Sequence, residues 1–268
     1  MASDDFDRLR AGLVKGRGPV SLRNDVRHVR MVFKFAYDAH LIERPVRFGP
    51  HFKIPTKAVL RRERQKNGKR MFEAAEIRTI LDAATQPLRA MVLLAANGGL
   101  GNTDVSSLPI SAIDFDTGWL DYPRPKTAVE RRIPLWTETL DAVKEAIDKR
   151  PKAKDASDDG LVFLTIFGQR FVRTGKNRNP IDQVANQFAK LLKRLDLKRP
   201  GINFYALRHG FETVAGESRD QISVNMIMGH ADQTMADNYR EGVSDERLQA
   251  VVETVRQWLW PDDGPVEA

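Results

Sequence analysis

Three polar residues in the last third of this 268-residue chain have spacings that could build a reactive site. Arg208 lies in YALRHGFET, residues 205–213, and His230 lies in MGHADQTMADNYRE, where Tyr239 follows nine positions later. Arginine and histidine can donate charge-assisted hydrogen bonds to the non-bridging oxygens of a phosphodiester. A tyrosine hydroxyl can attack phosphorus and form a phosphotyrosine, and a lysine can protonate the leaving 5′ oxygen. The pattern indicates chemistry at a phosphodiester.

Other common reactive sites find no support in the sequence. The chain has no cysteine, which excludes disulfides, thiolate metal sites and cysteine nucleophiles. Its five histidines lack the i, i+4 spacing of a zinc helix, and neither a P-loop nor a G-x-S-x-G nucleophile elbow occurs. The glycine-rich stretch at residues 97–102 follows an apolar helical segment and not a strand, so a dinucleotide fingerprint is unfavoured. We expect no cofactor.

Residues 71–260 resemble the catalytic domain of the tyrosine recombinases, the phage integrase family. Members carry a hairpin lysine, the motif H-x-x-R-H at a helix start, the motif L-G-H, and a tyrosine nine residues further on. The corresponding residues here are Lys126 in PRPKT, Tyr205–Ala–Leu–Arg208–His209, Met228–Gly229–His230 and Tyr239. The stretch ISAID, residues 110–114, also matches an isoleucine–aspartate element that follows a helix in the family.

The resemblance implies a site-specific DNA recombinase or integrase that cuts and rejoins double-stranded DNA through a 3′-phosphotyrosine intermediate. In that function Tyr239 is the nucleophile, Arg208 and His230 hold the scissile phosphate, and Lys126 protonates the leaving oxygen. Neither metal nor nucleotide takes part. Strand exchange implies a homotetramer on two DNA sites, and the protein is expected in the cytoplasm of a bacterium, associated with the nucleoid, or of phage type.

Two positions depart from the family's motifs. The first motif, T-G-L-R, ends in an arginine that contacts the scissile phosphate, but Gly101 stands in that place. Tyr205 stands where the second motif begins with histidine. Removing one oxyanion donor typically costs about 10²–10³ in rate, so the activity depends on a replacement. The last residue of the second motif, His209, is predicted to be a buried, hydrogen-bonded support for Arg208.

Arg124 is the candidate replacement for the missing cation. It lies two residues before Lys126, and residues at that spacing on a strand point to the same face. Asn102 or Tyr205 would add hydrogen bonds to the phosphate. In the alternative interpretation, Arg124 contacts only the DNA backbone.

Three other functions stay open on the sequence. The missing arginine and histidine are compatible with a DNA-binding protein of the same fold that has lost catalysis. Similar chemistry on a single duplex would make the chain an enzyme like the type IB topoisomerases. A helical scaffold whose basic face binds RNA or an acidic protein is the third alternative.

Positive charge is concentrated at the N-terminal end. Residues 1–70 hold 18 of the 43 Lys and Arg residues but 7 of the 36 Asp and Glu residues, and the chain has a net charge of +7. Within residues 21–42 an apolar stripe at helical spacing runs beside a basic stripe of one sign, which suits a phosphate backbone. A second basic run lies in residues 56–70. The predicted DNA-binding residues are Arg23, Arg27, Arg30, Lys34, Arg61, Arg62, Arg64, Lys66, Lys69 and Arg70.

The remaining patterns predict a mainly α protein with a small antiparallel β-sheet (α+β), in two parts. Residues 1–55 are predicted to be a partial helical core-binding module, 56–70 a basic linker without a continuous helix, 71–260 the catalytic domain and 261–268 a tail. The first part is short for a core-binding domain, which suggests that an upstream portion is absent. Start signals for helices are predicted at Ser21, Thr137 and Asn179–Pro180. A β-hairpin is predicted around GWLDYPRP and RRIPLW, and a strand at LVFLT.

A C-terminal helix is predicted over about residues 245–260. Its apolar stripe consists of Leu248, Val251, Val252, Val255 and Leu259. The helix either packs on its own domain or exchanges into a neighbouring subunit, as terminal helices of the family often do. Exchange would leave the stripe exposed in a monomer.

Overall fold

The computed structural model describes residues 3–66, 68–175, 177–230 and 242–261 of the chain. The chain divides into two compact units, Met1–Lys69 and Arg70–Ala268. Each unit has a hydrophobic core of its own. No helix among the described residues is long and apolar enough to cross a membrane.

The first unit is a small helical module. Its helices are α1 (Ser3–Val14), α2 (Pro19–Asp38) and α3 (Lys57–Lys66). The core is aromatic: the buried Phe6 ring lies edge-on to Phe33 and Phe48, with centroids 5.4 and 4.8 Å away, and such pairs stabilise beyond their buried area. Leu22 and Val26 bring α2 into this core, as its apolar stripe predicts.

Two expectations for the first unit are wrong. Helix α2 begins at Pro19, before the predicted N-cap Ser21, because proline is pre-set for the first helical position and Gly18 takes the cap. Helix α3 forms inside residues 56–70, where the basic run predicts a linker without a continuous helix. That helix can form because its apolar Leu60 is buried while its basic side chains stay exposed. The domain boundaries that the sequence analysis gives stay predictions.

The second unit is mainly helical around one buried helix. Its helices are α4 (Ala74–Ala83), α5 (Leu88–Gly98), α6 (Asn102–Ser106), α7 (Thr137–Asp148), α8 (Gln183–Arg194), α9 (Tyr205–Ala215), α10 (Gln221–Met228) and α11 (Asp245–Leu259). Helix α5 is buried along almost its whole length and packs against α7 and α9. It ends at Gly98, with Gly99 at φ 67° in the left-handed region, a conformation that glycine commonly takes just after a helix.

Two short antiparallel sheets complete the second unit. The strands are β1 (Ile113–Asp114), β2 (Trp119–Asp121), β3 (Arg132–Pro134), β4 (Val172–Thr174) and β5 (Pro180–Asp182). The first sheet has the order β1-β2-β3, with Leu120 opposite Ile133, and the second pairs β4 with β5. The predicted hairpin is therefore confirmed, as is the α+β fold class.

Three local predictions in the second unit are wrong. LVFLT forms no strand: it is buried in the core and keeps only an isolated bridge between Leu161 and Pro109. Pro180 begins β5, and the following helix starts three residues later, capped by the Asp182 carboxylate, which accepts from the Ala185 N–H at 2.8 Å. Trp136, and not Thr137, takes the N-cap position of α7.

Helix α11 packs on its own unit, against α9, α10, α5, α4 and β3. The whole predicted stripe is buried, from Leu248 to Leu259. Arg132 binds both carboxylate oxygens of Asp245 at 2.9 Å, and the Trp136 indole N–H donates to the Val252 carbonyl at 3.1 Å. Helix α11 therefore packs within its own chain, which is the first of the two alternatives. Exchange into a neighbouring subunit would first have to break these contacts.

Candidate active site

Two helix ends and a helix start converge on Arg208. Its side chain is buried, with 2% of the residue exposed. Nη1 donates to the carbonyl of Gly99 at 2.6 Å, and Nη2 donates to the carbonyl of Met228 at 2.9 Å. Because α5 and α10 end at these residues, both carbonyls lack a partner within their helix. The guanidinium donates to both carbonyls, and these two hydrogen bonds fix its orientation.

His230 is held against this guanidinium. Helix α10 ends in Gly229 at φ 60°, a left-handed conformation that glycine adopts without strain, and the His230 N–H donates to the Asn225 carbonyl at 3.0 Å. The ring Nε2 lies 2.8 Å from Nη2 of Arg208. Since arginine only donates, Nε2 accepts in this contact. The predicted meeting of Arg208 and His230 is therefore present.

The turn between β2 and β3 brings Arg124 and Lys126 to the same place. The Tyr122 N–H donates to the Arg131 carbonyl at 3.0 Å, and the Arg124 N–H donates to the Val129 carbonyl at 2.8 Å, so the hairpin continues past its strands. Lys126 lies at the exposed tip of the turn. The argument that a strand gives Arg124 and Lys126 a common face is therefore wrong, although both line one pocket.

This pocket is open and has a volume of about 600 Å³. Its lining residues are Gly101, Asn102, Thr103, Asp104, Arg124, Pro125, Lys126, Tyr205 and Arg208. A Cβ on Gly101 would lie 3.6 Å from Oδ2 of Asp104 and 3.7 Å from the Tyr205 ring, which are ordinary contact distances. A longer side chain could therefore begin at residue 101 without a clash at its first carbon.

Two polar residues near the pocket, His209 and Asn102, are arranged differently from the prediction. His209 is exposed and not buried, because one residue along α9 turns it about 100° away from Arg208. Its ring instead lies edge-on to Tyr205, one helical turn earlier, with centroids 5.1 Å apart. Asn102 donates to Asp182 at 2.8 Å, so its amide is already engaged. Tyr205 is 43% exposed and lines the pocket.

Sequence reasoning missed Arg131 and Asp104. Arg131 is 2% exposed, its Nε donates to the Tyr122 carbonyl at 3.0 Å, and its Nη1 lies 3.2 Å from Oδ2 of Asp104. The same oxygen accepts from the Gly101 N–H at 2.9 Å. The sequence carries a weak signal for Asp104 alone, three residues after Gly101 at a helix start, the capping-box position.

Positive charge exceeds negative charge in this cluster. Burial lowers the pKa of Arg208, and the positive charge of Arg124 lowers that pKa further. Burial also lowers the pKa of Arg131, while the Asp104 carboxylate acts in the opposite direction. Arginine stays protonated at ordinary pH, so among the described residues of this cluster there are three guanidinium groups and one carboxylate, Asp104, which pairs with Arg131. An anion entering the pocket would relieve this imbalance.

Tyr239 lies outside the described residues, between His230 and Gly242. Its position relative to the pocket therefore stays a prediction. Within the described ranges, no group of three His, Cys, Asp or Glu side chains is placed to hold a metal ion.

The predicted DNA-binding residues differ in whether neighbouring groups already bind their side chains. Arg30 donates to the Phe52 carbonyl at 2.7 Å, and Lys34 lies 2.5 Å from Asp38. Arg23 is partly buried, and Lys66 lies 3.9 Å from Glu63. The others are exposed, and none forms an ion pair with the residues that the structure describes; they are Arg27, Arg61, Arg62, Arg64, Lys69 and Arg70. Arg70 belongs to the second unit.

A model of the phage integrase family matches residues 70–245 of this chain. Over 181 residues the chain is 28% identical to the tyrosine recombinase XerC of Alcanivorax borkumensis, in an alignment that covers 62% of this chain and 55% of that protein. The chain therefore spans about half the length of this curated relative.

Solved integrase structures share the fold. The Tn1549 transposon integrase, in complex with a circular intermediate DNA, has a TM-score of 0.64 at 20% identity, with 94% of this chain and 84% of that chain covered. A lambda integrase tetramer bound to a Holliday junction has a TM-score of 0.58 at 19% identity, with 91% and 67% covered. Together with the family match and the motifs around Arg208 and His230, these likenesses show that the chain belongs to the phage integrase family, the family of the tyrosine recombinases.

Proposed function

We propose that this chain is a DNA strand transferase that recombines or integrates DNA at specific sites through a 3′-phosphotyrosine. The observation that carries the proposal is the hydrogen-bonded pair of Arg208 and His230 beside an open pocket that Arg124 and Lys126 also line. Fixed donors in such a pocket can bind the non-bridging oxygens of a phosphodiester. The named relatives support the substrate, since XerC is a tyrosine recombinase and the Tn1549 and lambda integrase structures contain DNA.

The proposed reaction is one displacement at phosphorus and its reversal. The Tyr239 hydroxyl loses its proton to solvent as its oxygen bonds to phosphorus, and the bond from phosphorus to the 5′ oxygen breaks. Lys126 protonates that leaving oxygen. Rejoining reverses these steps with a 5′ hydroxyl as the nucleophile, so no energy source is required. In this proposal Arg208 and His230 stabilise the charge on the phosphoryl oxygens.

Arg124 is proposed to supply the cation that Gly101 lacks. It lines the pocket, and its positive charge lowers the pKa of Arg208, so the two guanidinium groups lie close enough to share one anion. Tyr205, which also lines the pocket, is proposed to add a hydrogen bond through its hydroxyl. Asn102 fits this role less well because its amide already binds Asp182.

Arg124→Ala is expected to slow strand cleavage about 10²-fold, the loss of one oxyanion donor, with a much smaller loss of DNA affinity. Gly101→Arg should then restore most of the rate in the double variant, since residue 101 has room for a first side-chain carbon. Single-turnover cleavage and equilibrium binding measure the two effects. Equal losses of rate and affinity in Arg124→Ala would mean an ordinary backbone contact.

The basic residues of the first unit are proposed to bind the DNA backbone, and strand exchange is proposed to take place in a homotetramer. The lambda integrase tetramer on a Holliday junction supports the second statement. A nucleoid-associated protein in a bacterial cytoplasm, or one of phage type, is the proposed setting.

Arg27→Ala is expected to reduce the salt dependence of binding by about 0.9 in the slope of log K against log salt, because one phosphate contact is lost. Lys34→Ala is the matched control on the same helix: Asp38 already neutralises Lys34, so the slope should change less. Titrations at several salt concentrations measure both slopes. Equal slopes for Arg27→Ala and the unaltered chain would show that Arg27 does not contact a DNA phosphate.

Covalent trapping tests the proposed function. A duplex nicked next to its cleavage site, taken from the flanks of the gene, loses a short strand after cleavage, so active protein stays bound to DNA. Trapping on this site and strand exchange between two sites are the expected results. Gly101 favours a second candidate, a DNA-binding protein of the same fold without catalysis, and binding without trapping would establish that candidate. Relaxation of a supercoiled plasmid without recombinants would instead indicate an enzyme like the type IB topoisomerases.

A further inference from the structure

Arg131 belongs to none of the family motifs that the sequence matches, yet it is among the most deeply buried side chains of the chain. We propose that Arg131 is a positioning residue for strand cleavage, which holds the β2–β3 turn against α6 so that Lys126 reaches the leaving oxygen. The inference rests on the proposed function, in which Lys126 is the acid.

The guanidinium of Arg131 joins the two sides of the pocket. On the hairpin side, Nε donates to the Tyr122 carbonyl at 3.0 Å. On the helix side, Nη1 donates to Oδ2 of Asp104 at 3.2 Å, and that oxygen also binds the Gly101 N–H at the start of α6. A planar fork of donors can make both contacts at fixed angles, whereas a lysine could not.

Tyr122 makes a second attachment at the same level of the hairpin. Its hydroxyl donates to the Ser107 carbonyl at 2.8 Å and lies 3.1 Å from the Ser107 Oγ. The Arg131 guanidinium also lies over the Tyr122 ring, 5.3 Å from its centroid. The base of the turn is thus attached to both ends of α6. Beyond the base, the side chains of Arg124 and Lys126 have no hydrogen-bond partner in the described part of the chain.

Arg131 also supports the other side of the pocket. A Cβ on Gly229 would lie 3.6 Å from the Arg131 Cδ and 3.0 Å from the Arg124 Cβ, so both arginines pack on the backbone that precedes His230. A shift of Arg131 would therefore move the turn, and with it Lys126, relative to this backbone. Misplacement of a reacting group by 1 Å can cost about 10²-fold in rate.

The burial of Arg131 is not explained by stability alone. A buried guanidinium is costly unless its donors are all paired, and Nη2 of Arg131 has no hydrogen-bond partner among the described residues. Replacing both Arg131 and its partner Asp104 by apolar side chains would avoid this cost. Retention of the charged fork is consistent with a role in placing the turn.

The experiment compares two leaving groups in the nicked substrate, the ordinary 5′ oxygen and a 5′-bridging sulfur. A thiol has a pKa of about 8.5 and leaves without a proton donor. Arg131→Lys, which keeps the charge but not the fork, is expected to slow cleavage of the ordinary substrate about 10²-fold. With the sulfur leaving group, the loss of cleavage rate in Arg131→Lys should shrink to less than about tenfold. Lys126→Ala should show the same recovery of rate with sulfur.

Arg150→Lys is the matched control, because Arg150 also joins two segments through backbone carbonyls but outside the pocket. It should slow neither substrate. If Arg131→Lys folds poorly, Asp104→Asn tests the same contact from the helix side. Its cleavage rate should recover with sulfur in the same way.

The outcomes separate the inference from the proposed function. Equal losses with oxygen and sulfur, or no loss in either variant, would overturn the role of Arg131 while the unaltered chain still cleaves. Failure of the unaltered chain to cleave either substrate would instead overturn the proposed function.

Discussion

Tyr239→Phe is expected to abolish covalent trapping, with DNA affinity within about threefold of the unaltered chain. Only the hydroxyl oxygen can bond to phosphorus, and phenylalanine keeps the ring while removing that oxygen. Gel electrophoresis under denaturing conditions separates the covalent adduct from free protein and measures the effect. Residual trapping above the background of a DNA lacking the site would mean that another nucleophile acts.

Tyr205→Phe is the matched control for this substitution. Tyr205 lines the pocket and is 43% exposed, so its hydroxyl is the alternative candidate for the nucleophile. In the present account it donates one hydrogen bond, and its loss should slow cleavage by no more than about 10²-fold. Loss of trapping in Tyr205→Phe and its retention in Tyr239→Phe would reverse the two roles.

Arg208→Met is expected to lower the cleavage rate by at least about 10³-fold, the upper end for a single oxyanion donor. The guanidinium is held by two carbonyls and lies 2.8 Å from His230, so its removal would affect both of the proposed phosphate contacts. Single-turnover kinetics at saturating DNA measure the loss. A variant that cleaves within tenfold of the unaltered chain would contradict the assigned role.

The same substitution should also destabilise the second unit. It leaves the carbonyls of Gly99 and Met228 without their donor, and a buried polar group that loses its partner costs about 1–3 kcal/mol. Thermal unfolding of Arg208→Met and Arg208→Lys separates folding from catalysis, because lysine keeps a donor and a charge. Arg208→Lys should unfold closer to the unaltered chain while cleavage stays impaired, since lysine cannot make the same pair of contacts.

Helix α5 beside the site could be predicted from the sequence because its signals are local, whereas the short α6 was not predicted. The apolar run of α5 and its glycine stop need no knowledge of neighbouring elements. The strands could not be placed as well: β4 and β5 have three residues each, too few for an alternating pattern. Pro180 resembled a helix start because proline suits both the first residue of a strand and the first turn of a helix.

The site was predictable where its residues belong to spaced motifs and not where packing decides. Arg208 and His230 meet as their motifs indicate. His209 was misplaced because motif position says nothing about the direction of a helical side chain. Arg131 sits beside Arg132 in the sequence, yet one is buried and the other forms surface ion pairs. Their alternation across the hairpin ladder separates them, and only the packed hairpin reveals which one faces α6.

Peptide mapping of the trapped adduct shows which residue attacks the DNA. After digestion of protein and DNA, mass spectrometry identifies the peptide that carries a nucleotide. We expect a nucleotide on Tyr239 alone, joined through the 3′ phosphate, although the chain has four tyrosines. A nucleotide on Tyr205, or a 5′-linked nucleotide on any residue, would contradict this expectation.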